Sequence, residues 1–175
     1  MDRTIKTQLP WVVLAAVIGA VGFALAQKLA GFPQTIPEFM GQAIVSGGGY
    51  SASLALPIGW GVHLGVALSY AVLFVMIAAL PPFRRAGAMR FALLIGLVFV
   101  LGWVSTLITQ PAIVVTIGIL SGQGFPAALP PLNKSLGFVF WNHVAFFAIV
   151  FLFTQVVPSL VRRGNHSTVV GGNAA

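Results

Sequence analysis

The sequence predicts an all-α membrane protein: a four-transmembrane-helix bundle built from a tandem repeat of two helical hairpins, with short interfacial or re-entrant helices in the outer loops. Composition is the first observation behind this fold class. Of the 175 residues, 58% are hydrophobic and 6% are charged, and the mean hydropathy is +1.01. A soluble domain needs roughly a quarter of its residues charged, so most of this exterior must face lipid.

Four apolar stretches are the second observation. They cover residues 9–30, 58–80, 90–110 and 136–157. Each is about 20 residues long, which is enough to cross a hydrocarbon core about 30 Å thick. Proline bounds them, with Pro10 at the start of the first and Pro111 after the third. Each stretch is therefore predicted to form one transmembrane helix.

Positive charges predict the orientation. Seven of the nine lie on one side of the predicted membrane: Arg3, Lys6, Arg84, Arg85, Arg90, Arg162 and Arg163. Lys28 and Lys134 lie on the other. Because Lys and Arg accumulate on the cytoplasmic side, both termini are predicted to be cytoplasmic. The basic residues then contact anionic lipid headgroups, and the net charge of +7 does not indicate nucleic-acid binding.

Internal repetition is the third observation. Residues of the second half match the first in order and at nearly constant spacing: Ile18-Gly19 with Ile95-Gly96, Pro33 with Pro111, Ile44 to Gly49 with Ile119 to Gly124, Trp60 and His63 with Trp141 and His143, and Arg84-Arg85 with Arg162-Arg163. Each copy contains two spans, so the copies share one orientation and are predicted to be related by a pseudo-twofold axis along the membrane normal.

The repeat defines the domain organisation. Residues 1–163 are predicted to form a single membrane domain, with repeat 1 at about 9–85 and repeat 2 at about 88–163, and residues 164–175 a disordered tail. Between the spans of each copy lies an apolar piece too short to cross, at residues 36–46 and 112–121. We expect these pieces to be interfacial or re-entrant helices. Alternatively, the second piece continues the third span past Pro111 as a kinked helix.

A resemblance rests on Trp60 before His63 in a glycine-flanked span, on Ile108-Thr109-Gln110-Pro111 closing the third span, and on His143 in the last. In these residues the chain resembles the YagU-like family of small bacterial inner-membrane proteins of unknown function. The resemblance covers residues 57–163. It implies a bacterial inner membrane and a similar bundle, and it supplies no chemistry.

Two intramembrane histidines form the candidate site. His63 lies five residues into the second span and His143 seven into the fourth, which puts them about 7 and 10 Å below the outer surface. The pseudo-twofold axis would let them face each other and bind one b-type haem axially. The candidate cofactor-binding residues are the two histidines with Trp60, Gly61, Gly65, Trp141 and Asn142, and the two glycines would leave room for the macrocycle.

Two other interpretations stay open. Each histidine would be neutral and hydrogen-bonded to a neighbouring helix, with Trp60, Trp141 and Asn142 in the interfacial belt. Alternatively, a quinone or another small ligand would lie between the imidazoles. No spacing supports a metal site.

Three functions therefore remain. The first is a non-enzymatic structural or accessory subunit of a membrane assembly, which includes a homo-oligomer of this chain. The second is an electron-transfer subunit that binds haem b or quinone through His63 and His143. The third is a small-solute carrier or channel. Hydrolytic catalysis is disfavoured because the chain has no cysteine and no carboxylate within a span, and no catalytic residue is predicted.

Overall fold

The protein is a bundle of apolar helices. The computed structural model describes residues 3–84 and 87–161, so the predicted tail at 164–175 lies outside the described residues. The helices are α1 (Arg3–Leu29), α2 (Ile36–Gly48), α3 (Ala55–Ala78), α4 (Ala88–Leu120) and α5 (Phe138–Phe151). A wider π-helical turn at Leu152–Val156 continues α5 to Val161.

Four helical stretches are long and apolar enough to cross a membrane: Gln8–Leu29, Ala52–Ala78, Ala88–Leu120 and Phe138–Val161. The predicted all-helical class and the number of spans are confirmed, and no strand occurs in the described part of the chain. The chain has the architecture of a multi-pass membrane protein. Helix α4 runs through Pro111 and includes the short apolar piece at 112–121 up to Leu120, so the second piece continues the third span instead of forming a separate interfacial or re-entrant helix.

Helix α1 lies in the centre and packs against α3 and α5, whereas α4 packs mainly against α5 and barely touches α3. Small residues make this close packing feasible: Ala15 and Ala20 are fully buried, and a Cβ atom on Gly19 would lie 2.7 Å from the ring of Phe146. Apolar helices in lipid have no hydrophobic driving force to associate. Small residues let their backbones approach closely, and the resulting van der Waals contact stabilises the bundle. Helix α1 therefore supports α3 and α5, and α4 joins the bundle through α5.

Helix α2 is a short helix on the predicted outer side. Thr35 and Glu38 form a capping box at its start, and Gly49 ends it in the left-handed conformation with φ of 67°. Its 13 residues span about 20 Å, which is too short to cross. The helix packs on α3 where Gly41 and Gly59 bring the two backbones together, since a Cβ atom on either glycine would collide with the opposing backbone.

Polar contacts join α2 to its neighbours. At its start, Lys28 forms a 2.9 Å ion pair with Glu38, and the Gln27 side chain accepts a 3.0 Å hydrogen bond from the Ile36 amide. At its far end, the Gln123 side chain donates to the Gly47 carbonyl. Helix α2 is therefore held between α1, α3 and the outer end of α4.

Candidate functional site

A cavity of about 90 Å³ lies where the spans meet beneath α2. It contains both of the predicted histidines. Its lining residues come from every helix: Ala20, Phe23, Ile36, Met40, His63, Val66, Ala67, Tyr70, Thr109, Ala112, Ile113, Thr116, His143 and Phe146. Most of these side chains are apolar, as is usual for ligand sites that carry a few placed polar groups.

His63 is fixed by α1. Its Nε2 atom lies 3.2 Å from the carbonyl oxygen of Ala20. A carbonyl oxygen only accepts hydrogen bonds, so Nε2 carries the proton. The spans contain no Asp or Glu to pair with an imidazolium, and burying an unpaired charge costs free energy. The ring is therefore neutral. In the neutral ring, Nδ1 is left as a hydrogen-bond acceptor.

His143 is fixed by its own helix and by α4. Its Nδ1 atom lies 2.8 Å from the Val139 carbonyl oxygen and 3.3 Å from Oγ1 of Thr106. The Thr106 hydroxyl donates its own proton to the Gly102 carbonyl, so both partners of Nδ1 act as acceptors. The proton of His143 is therefore on Nδ1, and Nε2 is the free acceptor.

Both acceptor nitrogens lie outside the tightly packed core. Every buried side-chain nitrogen or oxygen in residues 3–84 and 87–161 has a hydrogen-bond partner. Nδ1 of His63 and Nε2 of His143 make none within the described chain, so neither atom is enclosed in the packed core. Both residues line one cavity, which the side chains of Tyr70, Thr109 and Thr116 also line.

Phe23 contacts both imidazoles. Its ring centroid lies 5.6 Å from that of His63 and 5.0 Å from that of His143. The carbonyl of Phe23 accepts a 3.1 Å hydrogen bond from Asn142, which ties α5 to α1 beside His143. Helix α1 thus positions both histidines, one through Ala20 and the other through Phe23.

The other predicted site residues do not line the cavity. Trp60 contacts the His63 ring edge-on, with centroids 5.8 Å apart, and Asn142 bonds to α1. Trp141 is 57% exposed and faces away from the centre of the bundle. Gly61 and Gly65 face open space, since a Cβ atom on either would meet nothing within 4 Å. Neither glycine lines the cavity, and their role in making room for a ligand stays a prediction.

Sequence reasoning missed several lining residues. Phe23 is one apolar residue in an apolar helix, and only its three-residue spacing from Ala20 places it on the same helix face. Met40 and Ile36 lie on α2, whose docking against α3 decides that they cover the cavity. The threonines of the third span were visible as polar residues, but nothing in the sequence assigned Thr109 to the same site as His63.

The arrangement does not fit an axially ligated haem. Iron would need the lone pairs of the two histidines on opposite faces of one macrocycle, and the Phe23 ring packs against both imidazoles. The cavity of about 90 Å³ is also smaller than a 150 Å³ cavity that holds benzene. Among the described residues no group of three His, Cys, Asp or Glu could hold a metal ion.

Large aromatic side chains fill the bundle on the side of the cavity that leads towards Pro81. Phe74 and Phe147 are fully buried there, with ring centroids 6.4 Å apart, and Tyr70 lies against Phe147. No polar path crosses this part of the described core. The cavity is therefore closed on the side that leads towards Pro81.

No protein-family model, no curated protein and no solved structure matches this chain.

Proposed function

We propose that this protein is a bacterial inner-membrane protein that binds a lipophilic small molecule of the quinone and quinol class at His63 and His143. One observation carries the proposal: two imidazoles from different spans line one cavity, and each has one nitrogen bonded to a helix carbonyl and the other free. Polar groups inside a membrane bundle are costly unless they are paired or serve a ligand. Binding of a quinone or quinol would make the protein an electron-transfer subunit that uses no haem.

The size of the cavity limits how the ligand lies. About 90 Å³ accommodates the polar edge of a ring rather than a whole cofactor. The rest of the ring and its apolar tail would lie in the gap between α3 and α4, where Val66 is 43% exposed. The apolar tail would then lie in hydrocarbon and the polar edge of the ring at the imidazoles. This placement matches a site that has apolar walls and two imidazole acceptors.

The competing functions have less support. A carrier or channel needs a path across the membrane, and the rings of Phe74 and Phe147 fill the bundle beyond the cavity. A structural or accessory subunit needs no cavity, and two unpaired imidazole nitrogens would then have no purpose. That role becomes the best interpretation if the binding experiment fails.

Binding is tested on the full chain in lipid nanodiscs with a short-chain benzoquinol as the probe. Trp60 contacts His63, so its fluorescence is expected to change on binding. His143→Leu, which removes the acceptor, is expected to weaken binding at least tenfold, whereas Trp141→Phe, outside the cavity, should leave it unchanged. Equal binding by both variants, or no binding by the wild type, would contradict the proposal.

The orientation is a separate part of the proposal. With both termini cytoplasmic, Lys134 lies outside and Met89 inside. The chain has no cysteine, so Lys134→Cys and Met89→Cys each carry a single thiol. A membrane-impermeant maleimide should label Lys134→Cys in intact cells and Met89→Cys only after lysis. The reverse pattern would overturn the orientation without affecting the ligand site.

A further inference from the structure

The hydrogen-bonding groups of the cavity are nearly all of one kind. Nδ1 of His63 and Nε2 of His143 are acceptors because their partner nitrogens hold the protons. A ligand that needs hydrogen-bond donors from the protein finds none on these two rings.

Two threonines on α4 have the same character. Thr109 donates its hydroxyl proton to the Ser105 carbonyl at 2.6 Å, and Thr116 donates to the Ala112 carbonyl at 2.7 Å. Both residues line the cavity. A hydroxyl has a single proton, so these groups offer only lone pairs to a ligand.

Tyr70 carries the remaining hydroxyl among the lining residues. Ser105, which does not line the cavity, lies beside it. The phenol keeps its own O–H proton, so Tyr70 is the single donor among these lining groups. The geometry leaves the ligand a site made of four acceptors and one donor in an apolar wall.

We propose, on the basis of the function above, that the cavity selects the hydroxyl-bearing quinol over the corresponding quinone. A quinol O–H donates to the acceptors of His63, His143, Thr109 and Thr116. A quinone oxygen is itself an acceptor, and it would meet mostly lone pairs in this apolar wall. A site that hydrogen-bonds a ligand hydroxyl discriminates strongly against the analogue that lacks the hydroxyl. This discrimination is much larger than that of an apolar pocket between ligands that differ by one methylene.

The selectivity has a thermodynamic consequence. Reduction of the quinone consumes two electrons and two protons, both supplied by the electrode and buffer in the experiment below. If the quinol binds tenfold more tightly than the quinone, the midpoint potential of the bound couple rises by about 30 mV, because 29.6 mV corresponds to a tenfold ratio in a two-electron couple. The potential therefore measures the preference independently of fluorescence.

The experiment compares one short-chain benzoquinol with its own quinone on the full chain in nanodiscs. We expect the quinol to bind at least tenfold more tightly and the midpoint potential to rise accordingly. Thr116→Val, which keeps the side-chain volume and removes the lone pairs, should reduce this ratio. Trp141→Phe, outside the cavity, is the control and should leave the ratio unchanged.

Each outcome is decisive. Equal affinities, or tighter binding of the quinone, would overturn the selectivity and leave ligand binding at the histidines intact. An unchanged ratio in Thr116→Val would overturn the role of the threonine lone pairs in this selectivity. If the wild type binds neither form, both this inference and the proposed function fail.

Discussion

The backbone amide of Asn133 donates a 3.0 Å hydrogen bond to the carbonyl oxygen of Leu107. Leu107 is four residues before Pro111, and a proline has no N–H to offer to that carbonyl. The loop between α4 and α5 thus returns along α4 and supplies the donor that Pro111 lacks. This contact explains how a proline is accommodated inside a 33-residue helix.

Pro111→Ala should release this loop. The substituted alanine would provide the missing helical N–H, which competes with Asn133 for the Leu107 carbonyl. We expect faster amide hydrogen exchange at Asn133 while α4 stays helical by circular dichroism. Pro130→Ala, in the same loop but outside a helix, is the control and should leave that amide as protected as in the wild type. Unchanged protection in Pro111→Ala would refute this account of the loop.

Gly41→Ala should destabilise the protein because α2 and α3 meet there without space for a Cβ atom. Overpacking of this kind costs about 1–3 kcal/mol, so the thermal unfolding midpoint in detergent should fall. Gly61→Ala is the matched control on α3, since its Cβ atom would meet nothing within 4 Å. An equal effect of the two substitutions would show that α2 does not dock on α3 in this way.

Acidic pH should weaken the attachment of α2 to α1. The hydrogen bond from the Thr35 amide and the neighbouring Lys28 ammonium lower the pKa of Glu38 below its usual 4.5. A lowered folded-state pKa stabilises the fold above the unfolded value and loses that contribution as the pH falls through the folded one. The stabilisation is small because Lys28 and Glu38 are partly exposed.

Glu38→Gln measures this contribution. Glutamine keeps a capping-box side chain but removes the charge. The variant should unfold at a slightly lower temperature than the wild type at pH 7, and the difference should disappear as the pH falls below 4.5. A difference that persists under strongly acidic conditions would show that the ion pair is not its origin.

Val66→Trp should obstruct the gap through which the ligand reaches the histidines. Val66 on α3 and Ala112 on α4 both line the cavity and are both exposed, whereas Ala20, Ala67 and Phe146 are buried. The cavity therefore opens sideways between α3 and α4, towards lipid.

The measurement is the rate at which a benzoquinol already dissolved in the bilayer quenches Trp60. Val66→Trp is expected to slow it, and Val72→Trp, exposed on α3 but not lining the cavity, is the control for the added fluorophore and bulk. Equal rates in the two variants would place the entrance elsewhere.

Sequence alone determined the all-helical class, the four spans and the choice of His63 and His143. These features depend on composition, on the length of apolar runs and on the scarcity of ionisable residues in lipid, all of which are local properties. The tandem repeat and the orientation remain predictions from the same source.

Only the tertiary structure decided what surrounds the histidines. Gly61 and Gly65 sit beside His63 in sequence yet face open space, while Gly41 and Gly59, without any distinguishing signal, bring α2 against α3. Phe23 enters the site because α1 lies at the centre of the bundle. The protonated nitrogen of each imidazole is selected by a helix carbonyl, Ala20 for His63 and Val139 for His143. Such choices depend on how helices rotate and dock, because in an apolar helix every face has nearly the same composition.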